Sequence, residues 1–189
     1  MSLDAVVGHR RPVTLLSRAI ARETLPPALL LAGPAGIGKK RVALALGQAI
    51  NCTAPRSSAG LERDACGACA SCRRIASGVH PDVVVVAPGD GGSIKLEVVR
   101  PVIDQANYRP FEARRRVVII DEADALVGGR CRDLGAEFEG VVLQLLEVRG
   151  CLEEHHLAVG LAADLSPESH LVERHPAHVS TTFVGFAAA

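Results

Sequence analysis

The stretch Gly33-Pro34-Ala35-Gly36-Ile37-Gly38-Lys39 constrains the fold of this 189-residue chain more than any other feature. It fits the pattern G-x-x-x-x-G-K, in which glycines let backbone N–H groups point inward at a β-phosphate and the lysine adds a point charge. Such a loop needs a buried strand before it and a helix after it, whose N-terminal dipole also favours an anion. Both are legible. Ala28 to Ala32 is a short continuous apolar run, the mark of a buried parallel strand. From about Gly38 to Asn51, the residues Val42, Ala45, Leu46, Ala49 and Ile50 recur at helical spacing. A glycine-rich turn with no ligand is the competing reading of the loop alone, and the flanking strand and helix argue against it. The next position should be Ser or Thr, whose hydroxyl holds magnesium. Here it is Lys40. A cation where a metal ligand belongs disfavours Mg²⁺ and hence hydrolysis, and the residues leave open whether nucleotide still binds.

Downstream, Val117 to Ile120 is an apolar strand that ends in Asp121 and Glu122. In a Walker B element such an aspartate organises magnesium and the glutamate polarises the attacking water. Taken alone, two carboxylates at a strand end are usually solvated; downstream of a phosphate loop, the functional ancestry is favoured. Between the two halves lie Cys52 and then Cys66-x-x-Cys69-x-x-Cys72. Four thiolates are the closed set that a structural Zn²⁺ prefers, with no open position for catalysis. A redox C-x-x-C would want a thioredoxin-like context, which is missing. Cys131 and Cys151 lack comparable spacing and read as packing residues.

Composition sets the class. Hydrophobic residues make up 48% of the chain, and Lys plus Arg equals Asp plus Glu at 21 each. This is a globular protein with no bulk charge steering it to nucleic acid. The N-terminus shows no basic segment followed by an apolar one, and no apolar run approaches the roughly 20 residues that span a bilayer. A cytoplasmic protein with no membrane partner is expected, and its six cysteines then read as metal ligands sooner than disulfides.

The remaining elements follow from periodicity. Val13, Leu16 and Ile20 share a face of a helix from about Arg11 to Arg22, with Pro12 in its first turn. Thr53 to Asp64 reads as a polar loop, and the clustered cysteines lead into a short helix through Ile75 that His80-Pro81 ends. Asp82 to Ala87 holds four consecutive valines, a second buried strand, and Arg116 to Ile120 is the third. Lys95 to Ala106 reads as a helix in which Pro101 forces either a late start or a kink. After Val127, Leu134, Phe138, Val141, Leu145 and Val148 keep helical spacing. Beyond Gly150 no period is sustained; His155, His156, His170, His175 and His178 read as solvated, and Ser180 to Ala189 resembles no packed element.

Taken together, Val6-Val7-Gly8-His9, the loop Gly33 to Lys39, the four cysteines, His80-Pro81-Asp82 and Val118 to Asp124 resemble a bacterial AAA+ clamp-loader subunit of DNA polymerase III. Two paralogous families share this layout, the ATP-hydrolysing gamma/tau subunits and the delta-prime subunits. Ser93 to Arg100, Tyr108-Arg109-Pro110 and Lys40 resemble the delta-prime pattern. The resemblance covers roughly residues 4 to 127. It implies a three-layer α/β P-loop (AAA+) domain over 1–127 with a parallel sheet and a four-cysteine zinc module inserted at 52–80, followed by a divergent tail over 128–189. It implies structural Zn²⁺ on Cys52, Cys66, Cys69 and Cys72. It implies at most weak ATP or ADP at Gly33, Pro34, Ala35, Gly36, Ile37, Gly38, Lys39, Lys40, Asp121 and Glu122, and no catalytic residue. The implied partners are gamma/tau and delta subunits and, through the complex, the sliding clamp and primed DNA. The implied function is a non-catalytic subunit that helps assemble the ATPase ring. The alternatives are an active gamma/tau-type ATPase, for which residue 40 is wrong, and an independent zinc-based nucleic-acid module. Against the latter stand aromatics at only 3% and zero net charge.

Family members run on past Walker B. They carry an asparagine-containing helix ending in a Leu-Glu-Glu-Pro-Pro-like turn, a sensor strand, a Ser-Arg-Cys motif with an arginine finger, and further helical domains. None is recognisable here, and Gln144 to Glu147 is a faint echo. The sensor strand would sit between the phosphate-loop and Walker B strands, and the only apolar candidate is Leu157 to Leu161. The tail after about Gly150 is therefore expected to pack poorly or in a non-family arrangement. Either the gene is frameshifted near Gly128 and the tail is out of frame, or the chain is naturally short and divergent; the abrupt loss of motifs and the late histidines favour the first. The gene's other two frames should then encode the Leu-Glu-Glu-Pro-Pro-like turn and Ser-Arg-Cys, and their absence from both would end the frameshift reading.

Overall fold

The computed structural model describes residues 1–26, 28–58, 60–106, 108–127, 158–161 and 179–187. In chain order the elements are α1 (Arg10–Ala21), β1 (Ala28–Pro34), α2 (Lys39–Asn51), β2 (Arg56–Ser58), β3 (Leu61–Asp64), α3 (Ala70–Ala76), β4 (Val83–Val86), β5 (Ile94–Lys95), α4 (Leu96–Ala106), β6 (Arg116–Ile120), a 3₁₀ turn (Ala123–Ala125), β7 (Leu126–Val127), β8 (Ala158–Leu161) and β9 (Val179–Ala187). A five-stranded sheet in the order β4-β6-β9-β1-β8 carries the core. β4 and β6 pair in parallel, with Val83 opposite Val117. β9 runs antiparallel to both β6 and β1, so β1 and β6 point the same way. The strands expected at 28–32, 82–87 and 116–120 are present, and β1 and β6 end at one edge of the sheet.

Alternation along β6 sorts the core onto two faces. Val117 and Ile119 pack with Leu29, Leu31, Val42, Leu46, Ile50 and the α1 residues Val13, Leu16 and Ile20. Val118 and Ile120 face the other way, onto Val86, Ile94 and Val99 of α4. Helices therefore cover both faces, and β1 and β6 have no polar side for water, as their unbroken apolar runs require.

Several expectations are corrected. The sheet is mixed, because the tail strands β8 and β9 enter it antiparallel. Ala158–Leu161 does not fill the slot between β1 and β6; it lies outside β1, at the sheet edge. The slot is filled by Val179–Ala187, from the stretch read as resembling no packed element. Its Thr182, Val184, Gly185 and Phe186 are buried, so it satisfies the central position physically. Thr53 to Asp64 is not a plain loop: β2 and β3 form a hairpin turning at Gly60, which holds φ 83°. The short helix after the cysteines ends at Ala76, before His80. α4 begins at Leu96 with Pro101 inside it, so the late start is excluded. The helical period at 134–148, the cysteines at 131 and 151 and the five late histidines lie outside the described residues.

Buried polar side chains rivet the loops to this frame. Asp82, with no exposed surface, accepts the backbone N–H groups of Phe111 and Glu112 at 2.8 Å and Ala113 at 2.9 Å, and the Arg116 guanidinium at 3.1 Å. Burial works against its charge, but these donors outweigh it and bring its carboxyl down to about 2. His80 stays below its ordinary value because burial disfavours the imidazolium, although Glu112 opposes this. Its Nδ1 accepts the Asp82 N–H at 3.1 Å, which leaves the proton on Nε2, 3.3 Å from the Ser71 hydroxyl. The His-Pro-Asp motif thus ties the cysteine region to the turn before β6.

A depressed carboxyl contributes stability above its unfolded value and loses it as pH falls through its folded one. For Asp82 that contribution is on the order of 2 kcal/mol, disappearing between about pH 4 and about pH 2. Asp82→Asn should lower the unfolding free energy by about 3 kcal/mol at neutral pH and flatten this acid dependence. Urea titrations across that range check it, and an unchanged acid slope in the variant would refute the assignment.

Candidate nucleotide and metal sites

The glycine loop joins β1 to α2. Gly36 at φ 79° and Gly38 at φ 102° occupy the left-handed region, where a side chain would be strained. That curvature lifts the loop over the N-terminus of α2, whose first residue is Lys39. The Lys39 side chain folds back so that Nζ donates to the Gly33 carbonyl at 3.0 Å and the Pro34 carbonyl at 2.8 Å. It is 6% exposed. Burial pulls its ammonium below the ordinary value, against the attraction of Asp121, Asp124 and Glu122.

Asp121 sits one residue past β6, held by its N–H to the Val86 carbonyl at 2.8 Å. Its two oxygens are both engaged. Lys40 Nζ lies 3.3 Å from Oδ2, and the Thr182 hydroxyl of β9 donates to Oδ1 at 3.0 Å. Glu122 follows in a left-handed conformation at φ 50°. Lys39, Lys40, Arg41, Asp121 and Glu122 line one open cleft of about 430 Å³. The structure therefore brings the two halves of the sequence-expected site together, and it adds Thr182, which sequence reasoning missed because β9 itself was missed.

The four cysteines converge at the C-terminal end of α2, where Cys52 directly follows the helix and the knuckle of β3 and α3 supplies the rest. Their sulfurs all lie within 4.8 Å of one another, with Cys52 and Cys69 3.9 Å apart. Four thiolates around a tetrahedral ion at about 2.3 Å stand about 3.8 Å apart, so the set is spaced to hold a metal. Backbone N–H groups already point at the sulfurs, Cys66 to Cys52 and Cys69 to Cys66, each at 3.3 Å. Burial opposes the Cys69 thiolate, but hydrogen bonds from Thr53 and the Cys72 N–H bring it to about 5. Burial pushes the Cys52 and Cys72 thiols up. Four thiols this close cannot all ionise without a cation among them, and a divalent ion resolves that conflict. The Gln48 amide donates to the Cys72 carbonyl at 2.6 Å, coupling the cluster to the last turn of α2.

A family model described as "DNA polymerase III, delta subunit" matches residues 8–128. The chain belongs to this family. The motif-based resemblance to DNA polymerase III subunits over the N-terminal part is thereby shown. The chain is 33% identical over 122 residues to DNA polymerase III subunit gamma of Buchnera aphidicola subsp. Acyrthosiphon pisum, covering 64% of this chain and 32% of that one. It is 31% identical over 122 residues to subunit tau of Escherichia coli (strain K12), covering 64% of this chain and 18% of the other. Against subunit delta' of Bacillus subtilis (strain 168) the identity is 32% over 124 residues, covering 66% and 36%. The matched part of the chain thus spans between 18% and 36% of the length of these relatives. Among the described residues, no helix is long and apolar enough to cross a membrane.

Thr182→Val keeps the shape of the side chain but leaves Asp121 Oδ1 without its donor. We expect a loss of about 1–2 kcal/mol. Lys40→Ala should cost less than about 1 kcal/mol, because that pair is half open to solvent. Urea unfolding of both variants tests this ordering, and a silent Thr182→Val would mean that β9 does not sit beside Asp121.

Proposed function

We propose that this chain is a non-hydrolysing subunit of the bacterial clamp loader, of the delta-prime kind. In this role it helps assemble the ATPase ring that opens the sliding clamp and sets it on primed DNA, alongside gamma/tau and delta subunits in the cytoplasm. The observation that carries the reading is the engagement of Asp121. A hydrolytic site leaves that carboxylate to hold the magnesium shell, with a Ser or Thr hydroxyl at position 40. Here Lys40 and Thr182 take both of its oxygens. Cys52, Cys66, Cys69 and Cys72 would hold Zn²⁺, which supplies a crosslink and no chemistry. That crosslink fixes the β2–β3 hairpin and α3 against the end of α2.

A gamma/tau-type ATPase is the second reading, favoured by the gamma and tau relatives at 31–33% identity. Steady-state ATP turnover separates the two. The zinc-loaded chain alone should show no Mg²⁺-dependent hydrolysis above background, even though a ring that contains it turns ATP over through its gamma/tau subunits. Lys40→Thr alone should restore little, because sensor and finger residues are also required. Robust Mg²⁺-dependent turnover by the unaltered chain would overturn the delta-prime assignment.

Metal content is tested separately. One zinc per chain should be released by a mercurial, and Cys52→Ala should lose it with a stability cost of several kcal/mol or more, since structural zinc can contribute on the order of 10 kcal/mol. Purified chain without zinc but with an unchanged melting temperature after zinc addition would sink the four-thiolate site.

A further inference from the structure

Resting on the reading of Gly33 to Lys40 as a phosphate loop, we propose that the cleft takes a polyphosphate free of magnesium, with the Lys40 ammonium standing where the metal would. The charges around the cleft motivate this. Lys39, Lys40 and Arg41 line it against Asp121 and Glu122, an excess of one positive charge among these lining groups. A free triphosphate brings several negative charges and suits that excess. A magnesium complex brings its own dication, which would have to settle beside Lys40.

The coordination chemistry points the same way. Mg²⁺ demands a near-octahedral shell of oxygens at about 2.1 Å. The aspartate that would order that shell has Oδ2 on Lys40 Nζ at 3.3 Å and Oδ1 on the Thr182 hydroxyl at 3.0 Å. Position 40 offers no oxygen. An ammonium, by contrast, has three donors and no acceptor. Lys40 can therefore keep Asp121 on one N–H and give another to a terminal phosphate oxygen, bridging two anions as the metal does. It is also the more exposed partner, with its side chain 47% exposed while that of Asp121 is 17% exposed. Lys39 is already seated by the Gly33 and Pro34 carbonyls, which leaves it one N–H for the ligand. Neither lysine has to be drawn from the bulk, and no atom lies within 4 Å of where a Cβ would stand at Gly36 or Gly38.

The test is equilibrium binding to the zinc-loaded full chain, with ATP and inorganic tripolyphosphate as probes. Magnesium is withheld by omission, because a chelator would strip the cysteine site. Both probes should bind without Mg²⁺, and adding millimolar Mg²⁺ should weaken them by about threefold or more. Lys40→Gln, which keeps length and loses charge, should weaken metal-free binding by about tenfold. Lys40→Thr should reverse the sign, so that Mg²⁺ tightens binding; melting curves show that each variant is folded. Tightening by Mg²⁺ in the unaltered chain would overturn the proposal. So would failure of both probes to bind under either condition, although the non-hydrolysing subunit reading would survive that result and falls only to Mg²⁺-dependent turnover. Binding of ATP without tripolyphosphate would overturn the assignment of recognition to the phosphates.

Discussion

The gap between β1 and β6 is the constraint on which the rest of the molecule depends. The two strands point the same way and carry the two halves of the site, yet they do not touch. A strand must stand between them, or two rows of buried backbone N–H and C=O groups go unpaired, each at a cost comparable to a lost hydrogen bond. Val179–Ala187 fills the gap over seven paired positions of β1 and all five residues of β6. Its width, two interstrand spacings or about 10 Å, sets how far the glycine loop stands from Asp121. The cleft exists because of that spacer. Its carboxylate follows β6 and its threonine lies on β9, while its lysines open the helix that the loop after β1 leads into.

Around this frame, buried polar side chains do what apolar packing cannot, which is to hold irregular backbone. Ser17 of α1 accepts the Arg63 N–H and donates to the Arg63 carbonyl. Asp64 accepts the N–H groups of Leu3, Asp4 and Ala65. Asn51 pairs both ways with Arg115, accepting its N–H at 3.0 Å and donating to its carbonyl at 2.9 Å. The cysteine region is thus joined to the body by directed bonds on several sides, so that a metal ion there would complete an arrangement already aligned. The partners of each group offset its desolvation; a hydrophobic replacement would leave several backbone donors stranded.

Much of residues 1–127 was legible because the physics is local. Four valines at 83–86 can scarcely be other than a strand buried on both faces, and the α2 stripe from Val42 to Ile50 has one apolar side. The thiolate cluster was legible because ligand spacing is short-range. The β2–β3 hairpin was missed because its strands are polar outside Leu61, although Gly60 was a turn signal. β9 was missed for a different reason. Val179, Thr181, Thr182, Phe183, Val184 and Phe186 are all residues that favour strands, but their partners lie more than 60 positions away in β6 and farther still in β1, and only the vacancy between those strands selects them. The family's parallel strand at that place points instead to Leu157–Leu161. Thr182 went unseen with its strand, although a threonine opposite the residue after Ile120 was the detail that fixes Asp121.

The direction of β9 has a spatial corollary. Because it runs opposite to its neighbours, its first residues lie at the glycine-loop edge, where Val179 faces Pro34, and its last lie at the far edge, where Ala187 faces Arg116. A parallel strand in the same slot would reverse these neighbourhoods. A probe attached at Ala187 would stand roughly five strand residues, or about 17 Å, from the carboxylate of Asp121. One attached at Val179 would stand beside Pro34, where the glycine loop leaves β1. The polarity of a single strand thus decides which of its ends keeps company with the glycine loop.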